Sequence, residues 1–218
     1  MKILYIPAKN KIPLSISNLK SKIKKLPNKI GLISTVQFSD IIPKIASIIR
    51  LENKIPVFYK KPIILGCDLK AGVKIQNKVD CFLYIGSGRF HPIALSLSLK
   101  KEIPIFVFNP NTNTFKKLDY REVQKMKRRQ KAAYIRYLSK NEIGILVSTK
   151  QGQCNLKQAL SLKKDIEEKG KKAYIFLTDH FSEHQLENWP NLAWINTMCP
   201  GLSREMPSRL LDFRNIKK

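Results

Sequence analysis

The sequence predicts an α/β protein made of two similar three-layer α/β domains whose sheets are mostly parallel. Short apolar runs alternate with segments of helical period, and strands separated by a helix pair in parallel as βαβ units. The alternation occurs twice, once in each half of the chain, as a weak internal repeat. The apolar runs also end in polar or glycine-rich residues, and open parallel sheets bind ligands at the carboxyl ends of their strands.

In the first half, Ile30 to Val36 reads as a strand, Ile41 to Leu51 as a helix, Ile55 to Tyr59 as a second strand and Phe82 to Ile85 as a third. The segment Phe108-Asn109-Pro110-Asn111-Thr112-Asn113-Thr114 is dense in turn formers and reads as a linker, so a domain boundary falls between it and Asn141. The division expected is residues 1–118 and residues 119–218. The second part opens on a long helix from Tyr120 through Leu138. Asp119 is its N-cap, and Val123, Met126, Ala133, Tyr137 and Leu138 are its buried positions. A strand (Ile143 to Ser148), a helix (Leu156 to Lys169, closed by Gly170), a strand (Ala173 to Leu177), a short helix (Glu183 to Trp189) and a strand (Ala193 to Asn196) follow, ending at Cys199. In the helix from Leu156 the apolar stripe is Leu156, Leu160, Leu162 and Ile166, and Gly170 suits a C-cap. The tail after Pro207 has no companion pattern and is expected to fray, and the lead Lys2-Ile3-Leu4-Tyr5-Ile6-Pro7 amounts to one strand at most.

With 218 residues, 43% of them hydrophobic, the chain can bury a sizeable core. It has no run of 18 apolar residues and no apolar leader with a cleavage site, so no membrane partner and a cytoplasmic location are expected. A net charge of +25, from 41 basic and 16 acidic residues, favours anionic partners such as RNA, ribosomes or acidic proteins. Most of the excess is lysine scattered through every segment, so a nucleic acid is compatible with the charge but not required by it. The one true cluster, Lys125-Met126-Lys127-Arg128-Arg129-Gln130-Lys131, lies in a helical stretch where a solvated face is the plain reading.

Four cysteines with no C-x-x-C pair argue against a disulfide scaffold and against a zinc ribbon. Cys81 begins the apolar strand Cys81-Phe82-Leu83-Tyr84-Ile85 and reads as a small buried hydrophobe. Cys154 follows Gly152-Gln153 in a polar turn and reads as exposed, with no neighbour that points to a ligand role. Cys67 and Cys199 are different. In Ile63-Ile64-Leu65-Gly66-Cys67-Asp68 and in Trp194-Ile195-Asn196-Thr197-Met198-Cys199-Pro200, each cysteine follows an apolar run and has turn formers around its sulfur. A strand end would there hand a thiolate to a shared site, and only the fold can bring such distant segments together.

Gly86-Ser87-Gly88 lets backbone amides approach a ligand closely, and Arg89 can grip a carboxylate with two parallel hydrogen bonds. A tight strand-to-helix turn needs the same glycines with no ligand at all. His91, before Pro92, by itself reads as a packed turn histidine rather than as a catalytic base. Ser34-Thr35-Val36-Gln37 and Ser148-Thr149-Lys150 are further polar strand ends, and four such ends on two similar domains point to one cleft.

Taken in order with Phe82-Leu83-Tyr84-Ile85-Gly86-Ser87-Gly88-Arg89-Phe90-His91-Pro92, Arg128-Arg129-Gln130-Lys131-Ala132-Ala133 and Gly144-Ile145-Leu146-Val147-Ser148-Thr149-Lys150-Gln151-Gly152-Gln153, the two cysteine segments closely resemble the iron–sulfur subunits of diphthamide synthase. This is the 2-(3-amino-3-carboxypropyl)histidine synthase family. The resemblance covers nearly the whole chain and is most specific at LGCD, GSGRFHP and VSTKQGQ. The family is built from three similar domains, each giving one cysteine to a [4Fe-4S] cluster. This chain resembles the second and third, with Lys29-Ile30-Gly31-Leu32-Ile33-Ser34-Thr35-Val36-Gln37 similar to the opening of the second, and the first domain and its cysteine are expected to be missing.

The resemblance implies that Cys67 and Cys199 are cluster ligands. It implies that Ser34, Thr35, Gln37, the Gly86, Ser87, Gly88, Arg89 and His91 turn, Ser148, Thr149 and Gln153 line a cleft for S-adenosylmethionine. A cubane held by three thiolates leaves one iron open to the amino acid end of S-adenosylmethionine. In the family the reduced cluster breaks the sulfonium bond, and a 3-amino-3-carboxypropyl radical adds to a histidine of translation elongation factor 2. An electron donor is implied, as is a chain carrying the missing first domain or a second copy of this chain, with Cys154 completing the cluster. Two features depart from the family. Cys199-Pro200-Gly201-Leu202-Ser203-Arg204-Glu205 replaces the usual Cys-Pro-Arg and its acidic followers, and two thiolates alone leave a labile cluster. The competing reading is a basic, non-catalytic accessory or ribonucleoprotein-binding module that keeps the fold.

Overall fold

The computed structural model describes Ile6, Ile16 and residues 19–216. Apart from exposed Ile6, the strand expected in the N-terminal lead lies outside the described residues. The chain divides into two compact units, Met1–Val123 and Gln124–Lys218. The division falls inside the long helix, so its first turn belongs with the first unit.

The first unit is built on strands β1 (Lys29–Ser34), β2 (Ile55–Val57), β3 (Cys81–Ile85), β4 (Ile105–Asn109) and β5 (Thr114–Lys117), in the spatial order β2-β1-β3-β4-β5. The first four pair in parallel, with Ile30 opposite Cys81 and Ser34 opposite Ile85, and β5 closes the edge antiparallel to β4. The central β3 is buried along its whole length, which is why it reads as an unbroken apolar run. Alternate side chains point to opposite faces. Cys81, Leu83 and Ile85 pack with helices α1 (Leu19–Ile23) and α2 (Ile42–Leu51), while Phe82 and Tyr84 pack with α3 (Lys70–Val73) and α4 (Phe90–Ser98). Those two apolar faces are the physical content of the three layers.

The expected linker at 108–114 is instead the β4–β5 hairpin. Asn113 adopts the left-handed conformation (φ 51°) that asparagine tolerates, and the Asn109 side chain accepts the Asn111 N–H. Turn formers mark a tight reversal as readily as a linker, and the four residues of β5 are too lysine-rich to announce a strand.

The second unit begins with the body of α5 (Tyr120–Ser139) and contains β6 (Glu142–Ser148), α6 (Leu156–Glu167), β7 (Lys172–Thr178), β8 (Ala193–Asn196), α7 (Pro200–Glu205) and β9 (Leu210–Asp212). Its sheet is fully parallel in the order β7-β6-β8-β9. Ile143, Ile145 and Val147 of β6 face α5 and α6, and Leu146 joins Trp194, Leu186 and Met198 on the other side. The tail expected to fray instead forms β9, whose three residues are buried.

Two helices depart in part from the buried positions expected. In α6 the inward stripe is Ala159, Leu162 and Ile166, at spacings of three and four, whereas Leu156 and Leu160 are 39% and 51% exposed. Leucine outweighed the smaller alanine in the pattern. In α5, Val123, Ala133 and Tyr137 are buried as expected and Met126 is half-buried, but Leu138 is exposed. Lys125, Lys127, Arg128, Arg129 and Lys131 all lie on its solvated surface.

Both sheets run second, first, third, fourth strand, so the chain crosses one way from the first strand and then returns to its other side. That reversal opens a crevice at the carboxyl ends of the first and third strands. These are the ends of β1 and β3 in one unit and of β6 and β8 in the other.

Candidate functional site in each unit

At the end of β1, Ser34 is buried and its hydroxyl donates to the carbonyls of Ile85 (3.0 Å) and Thr35 (2.9 Å). It ties the two strand ends together, and Thr35 and Gln37 follow it, the first buried and the second exposed on a 3₁₀ turn at Val36–Ile41. The Ser34 backbone also bonds Pro62 and Ile64, each at 2.8 Å, so a short bridge hooks the 62–64 segment onto the end of β1. Cys67 therefore sits not at the end of a strand of its own but in a turn closed by reciprocal bonds between Leu65 and Asp68. Its sulfur is exposed.

Beyond β3, Gly86, Ser87, Gly88 and Arg89 turn the chain into α4, and Gly88 takes φ +73°, where a side chain would be strained. Ser87, Gly88 and Arg89 are exposed, whereas His91 is half-buried, near-parallel to the Tyr84 ring (6.2 Å between centroids) and edge-on to Phe90 (5.2 Å). Arg89 is ion-paired with Glu122 on the first turn of α5, so a ligand carboxylate would compete with that partner. Tyr84 is fully buried, and its hydroxyl makes no hydrogen bond of normal geometry. Burial pushes its phenol up to about 12, with the nearby Thr35 hydroxyl offsetting part of the shift.

In the second unit, Ser148, Lys150, Gln153, Asp179, His180, Met198, Cys199 and Glu205 line a cavity of about 250 Å³. Three of the expected residues, Ser148, Gln153 and Cys199, thus open onto one space, whereas Thr149 is exposed beside it and bonds the Thr178 carbonyl (3.0 Å). Cys199 is half-buried at the start of α7. Its turn is set by a residue the sequence reading passed over. Buried Asn196 donates to the Cys199 carbonyl (2.9 Å) and to Ser203 Oγ (2.8 Å), and accepts the Met198 N–H (2.9 Å). An asparagine three residues before a cysteine at a strand end is the available signal, since Asx side chains bond their own turn. Asn155 plays the same part for the facing loop, donating to the Thr197 carbonyl at 2.7 Å.

The four cysteines sort by environment. Cys81 is fully buried and burial, seconded by the Asp80 charge, pushes its thiol up to about 12, which removes the thiolate that iron needs. Cys154 is exposed in its turn. Cys67 and Cys199 are accessible on structured turns beside the ends of β1 and β8, a donor set that fits iron–sulfur ligation. Among the described residues no three His, Cys, Asp or Glu side chains gather closely enough to hold a metal by themselves, and no helix among them is long and apolar enough to cross a membrane.

Known proteins share this plan. The crystal structure of Dph2 from Pyrococcus horikoshii superposes with a TM-score of 0.78 at 23% identity, covering 91% of this chain and 60% of that one. The same protein with a 4Fe-4S cluster gives 0.76, covering 89% and 57%. At that identity the likeness speaks for the fold. In sequence, the chain is 27% identical over 194 residues to the 2-(3-amino-3-carboxypropyl)histidine synthase of Methanocaldococcus jannaschii, covering 84% of this chain and 50% of that protein. It is 28% identical over 137 residues to the enzyme of the same name from Pyrococcus horikoshii, covering 63% and 38%. The chain thus spans half or less of the length of these curated relatives. A family model for diphthamide synthesis proteins matches residues 1–206, and the chain belongs to that family.

Proposed function

We propose that the chain is a component of a 2-(3-amino-3-carboxypropyl)histidine synthase, contributing Cys67 and Cys199 to one [4Fe-4S] cluster. The observation that carries this is the opening of Cys199 onto the same cavity as Ser148 and Gln153, at the switch point of a parallel sheet in a member of this family. When bound, a reduced cluster supplies the electron that cleaves the sulfonium of S-adenosylmethionine. The residues of this chain do the rest. Asn196 and the Leu65–Asp68 turn hold the two thiols, Gly86 to Gly88 present backbone amides, and the cavity walls orient the aminocarboxypropyl group for transfer to a histidine of elongation factor 2.

Two thiolates leave half the irons of a cubane open. A third ligand is proposed to come from a chain carrying a further domain of this kind, or from a second copy through Cys154, and an external donor supplies the electron. The test is anaerobic reconstitution of this chain with and without a first-domain-like partner. Iron, sulfide, the electron paramagnetic resonance signal and aminocarboxypropyl transfer to elongation factor 2 are measured. The chain alone should hold little stable cluster and the partner should restore both cluster and transfer. A stable, active cluster in the isolated monomer with Cys154→Ser would defeat the requirement for an outside cysteine.

The exposed basic face of α5 favours a second reading, an accessory module that binds ribonucleoprotein. RNA binding that persists in a chain unable to retain iron under any of these conditions would favour it.

A further inference from the structure

The cavity beside Cys199 has a rim of opposite charges over a less exposed floor. Lys150, Asp179 and Glu205 are exposed at its mouth, and buried Ser148, Met198 and Gly201 with half-buried Phe181 lie beneath them. The charges are placed by local structure. The Lys150 N–H bonds Ser148 Oγ (3.1 Å), and Glu205 ends the short helix that Cys199 begins.

Several carboxylates of this unit are paired with cations, while among the described residues Asp165 has no ion pair and Glu142 accepts only from the Tyr174 hydroxyl. Within this unit Glu167 pairs with Lys163, Glu168 with Lys164, Glu183 and Glu187 with Arg209, and Asp212 with Arg214. Asp179 has one oxygen engaged by the His180 N–H (2.7 Å). Among the described residues, neither the Lys150 ammonium nor the Glu205 carboxylate has an ion-pair partner, although both face the same 250 Å³. A cation and an anion that line one cavity without satisfying each other match a ligand that carries both charges itself.

We propose that this cavity holds the α-amino-acid end of the substrate, with Lys150 binding its carboxylate and Glu205 its ammonium. The inference rests on the reading of the site as one for S-adenosylmethionine and assigns to side chains a task otherwise left to the open iron. Attraction between unit charges at contact is strong enough, even near a surface, to set the orientation of a zwitterion. With both ends of the amino acid fixed, the remaining carbon chain and sulfur are aimed relative to Cys199.

Two probes isolate the amino-acid end. S-adenosylhomocysteine and 5′-methylthioadenosine are both uncharged at sulfur, and only the first carries the aminocarboxypropyl group. Titration calorimetry of the full chain, before and after anaerobic reconstitution, should show S-adenosylhomocysteine binding at least tenfold more tightly. Lys150→Met and Glu205→Gln should each reduce that preference below threefold while leaving 5′-methylthioadenosine affinity and unfolding midpoint unchanged, and Lys150→Arg should retain most of it. Wild-type protein that binds both probes equally, or variants that keep the preference or weaken both probes alike, would overturn the inference alone. Wild-type protein that binds neither probe nor S-adenosylmethionine in either state would overturn the substrate reading together with it.

Discussion

A methyl group added at Gly86 would stand 2.5 Å from the Tyr84 hydroxyl, closer than real side chains approach. Gly86 is therefore glycine because of its neighbour's phenol, not because of its backbone angles. The buried hydroxyl that occupies this space makes no normal hydrogen bond. With the Thr35 hydroxyl near it but no hydrogen bond of normal geometry, that buried oxygen is a cost the fold carries.

Tyr84→Phe should stabilise the first unit by about 1 kcal/mol, because it removes a buried hydroxyl that has lost its water. Gly86→Ala should destabilise it by about 1–3 kcal/mol through overpacking. Urea denaturation of the two variants checks both signs. A loss of stability in Tyr84→Phe would show that the hydroxyl is satisfied in solution.

Cys81 makes stability depend on alkaline pH. Its folded pKa of about 12 lies above the ordinary value of 9.0, so its contribution is complete below pH 9 and is lost as pH rises toward 12. Cys81→Ala should cost about 1–2 kcal/mol at neutral pH. The variant lacks this titration, so its deficit against wild type should shrink by about 2 kcal/mol at pH 10.5. Parallel denaturation curves at pH 7.5 and 10.5 measure the difference, and a constant deficit would mean that the thiol is not protected.

Under anaerobic reconstitution with the partner, Cys67→Ser and Cys199→Ser should each abolish iron retention, while Cys81→Ser should keep its iron and lose stability. Iron and sulfide analysis per chain decides this. Equal loss in all three would contradict the sorting by burial.

Asn196→Ala removes three hydrogen bonds from the turn before α7 and should cost about 2–4 kcal/mol. It should also speed alkylation of Cys199 by a thiol reagent, measured as a rate, while leaving the rate at Cys67 unchanged. Equal rates at Cys199 in variant and wild type would mean that the side chain does not hold the sulfur.

The regular elements were legible where one residue type dominates. The buried strands β3 and β6 announce themselves as unbroken apolar runs, and α5 carries a long helical pattern from its Asp119 start. Short edge strands were not legible. Thr114–Lys117 and Leu210–Asp212 owe their structure to a neighbouring strand, which no local pattern records. At the sites, the burial of Cys81 and the exposure of Cys154 were legible because apolar context is local. Asn196, Asn155 and Tyr84 escaped because what they do depends on partners that the turn geometry supplies. Lys150 and Glu205 lie 55 positions apart and line one cavity, a proximity that no local pattern records.

The recurrence of one strand order in both units has a further consequence. Cys67 lies after the second strand of its sheet and Cys199 after the third, while the third strand of the first unit ends instead in the Gly86 turn. In strand order, then, the two cysteines follow different members of the repeat. The duplicated scaffold is thus chemically handed. Each cysteine is therefore framed by loops of a different topological origin, and the two are not equivalent positions of one repeat.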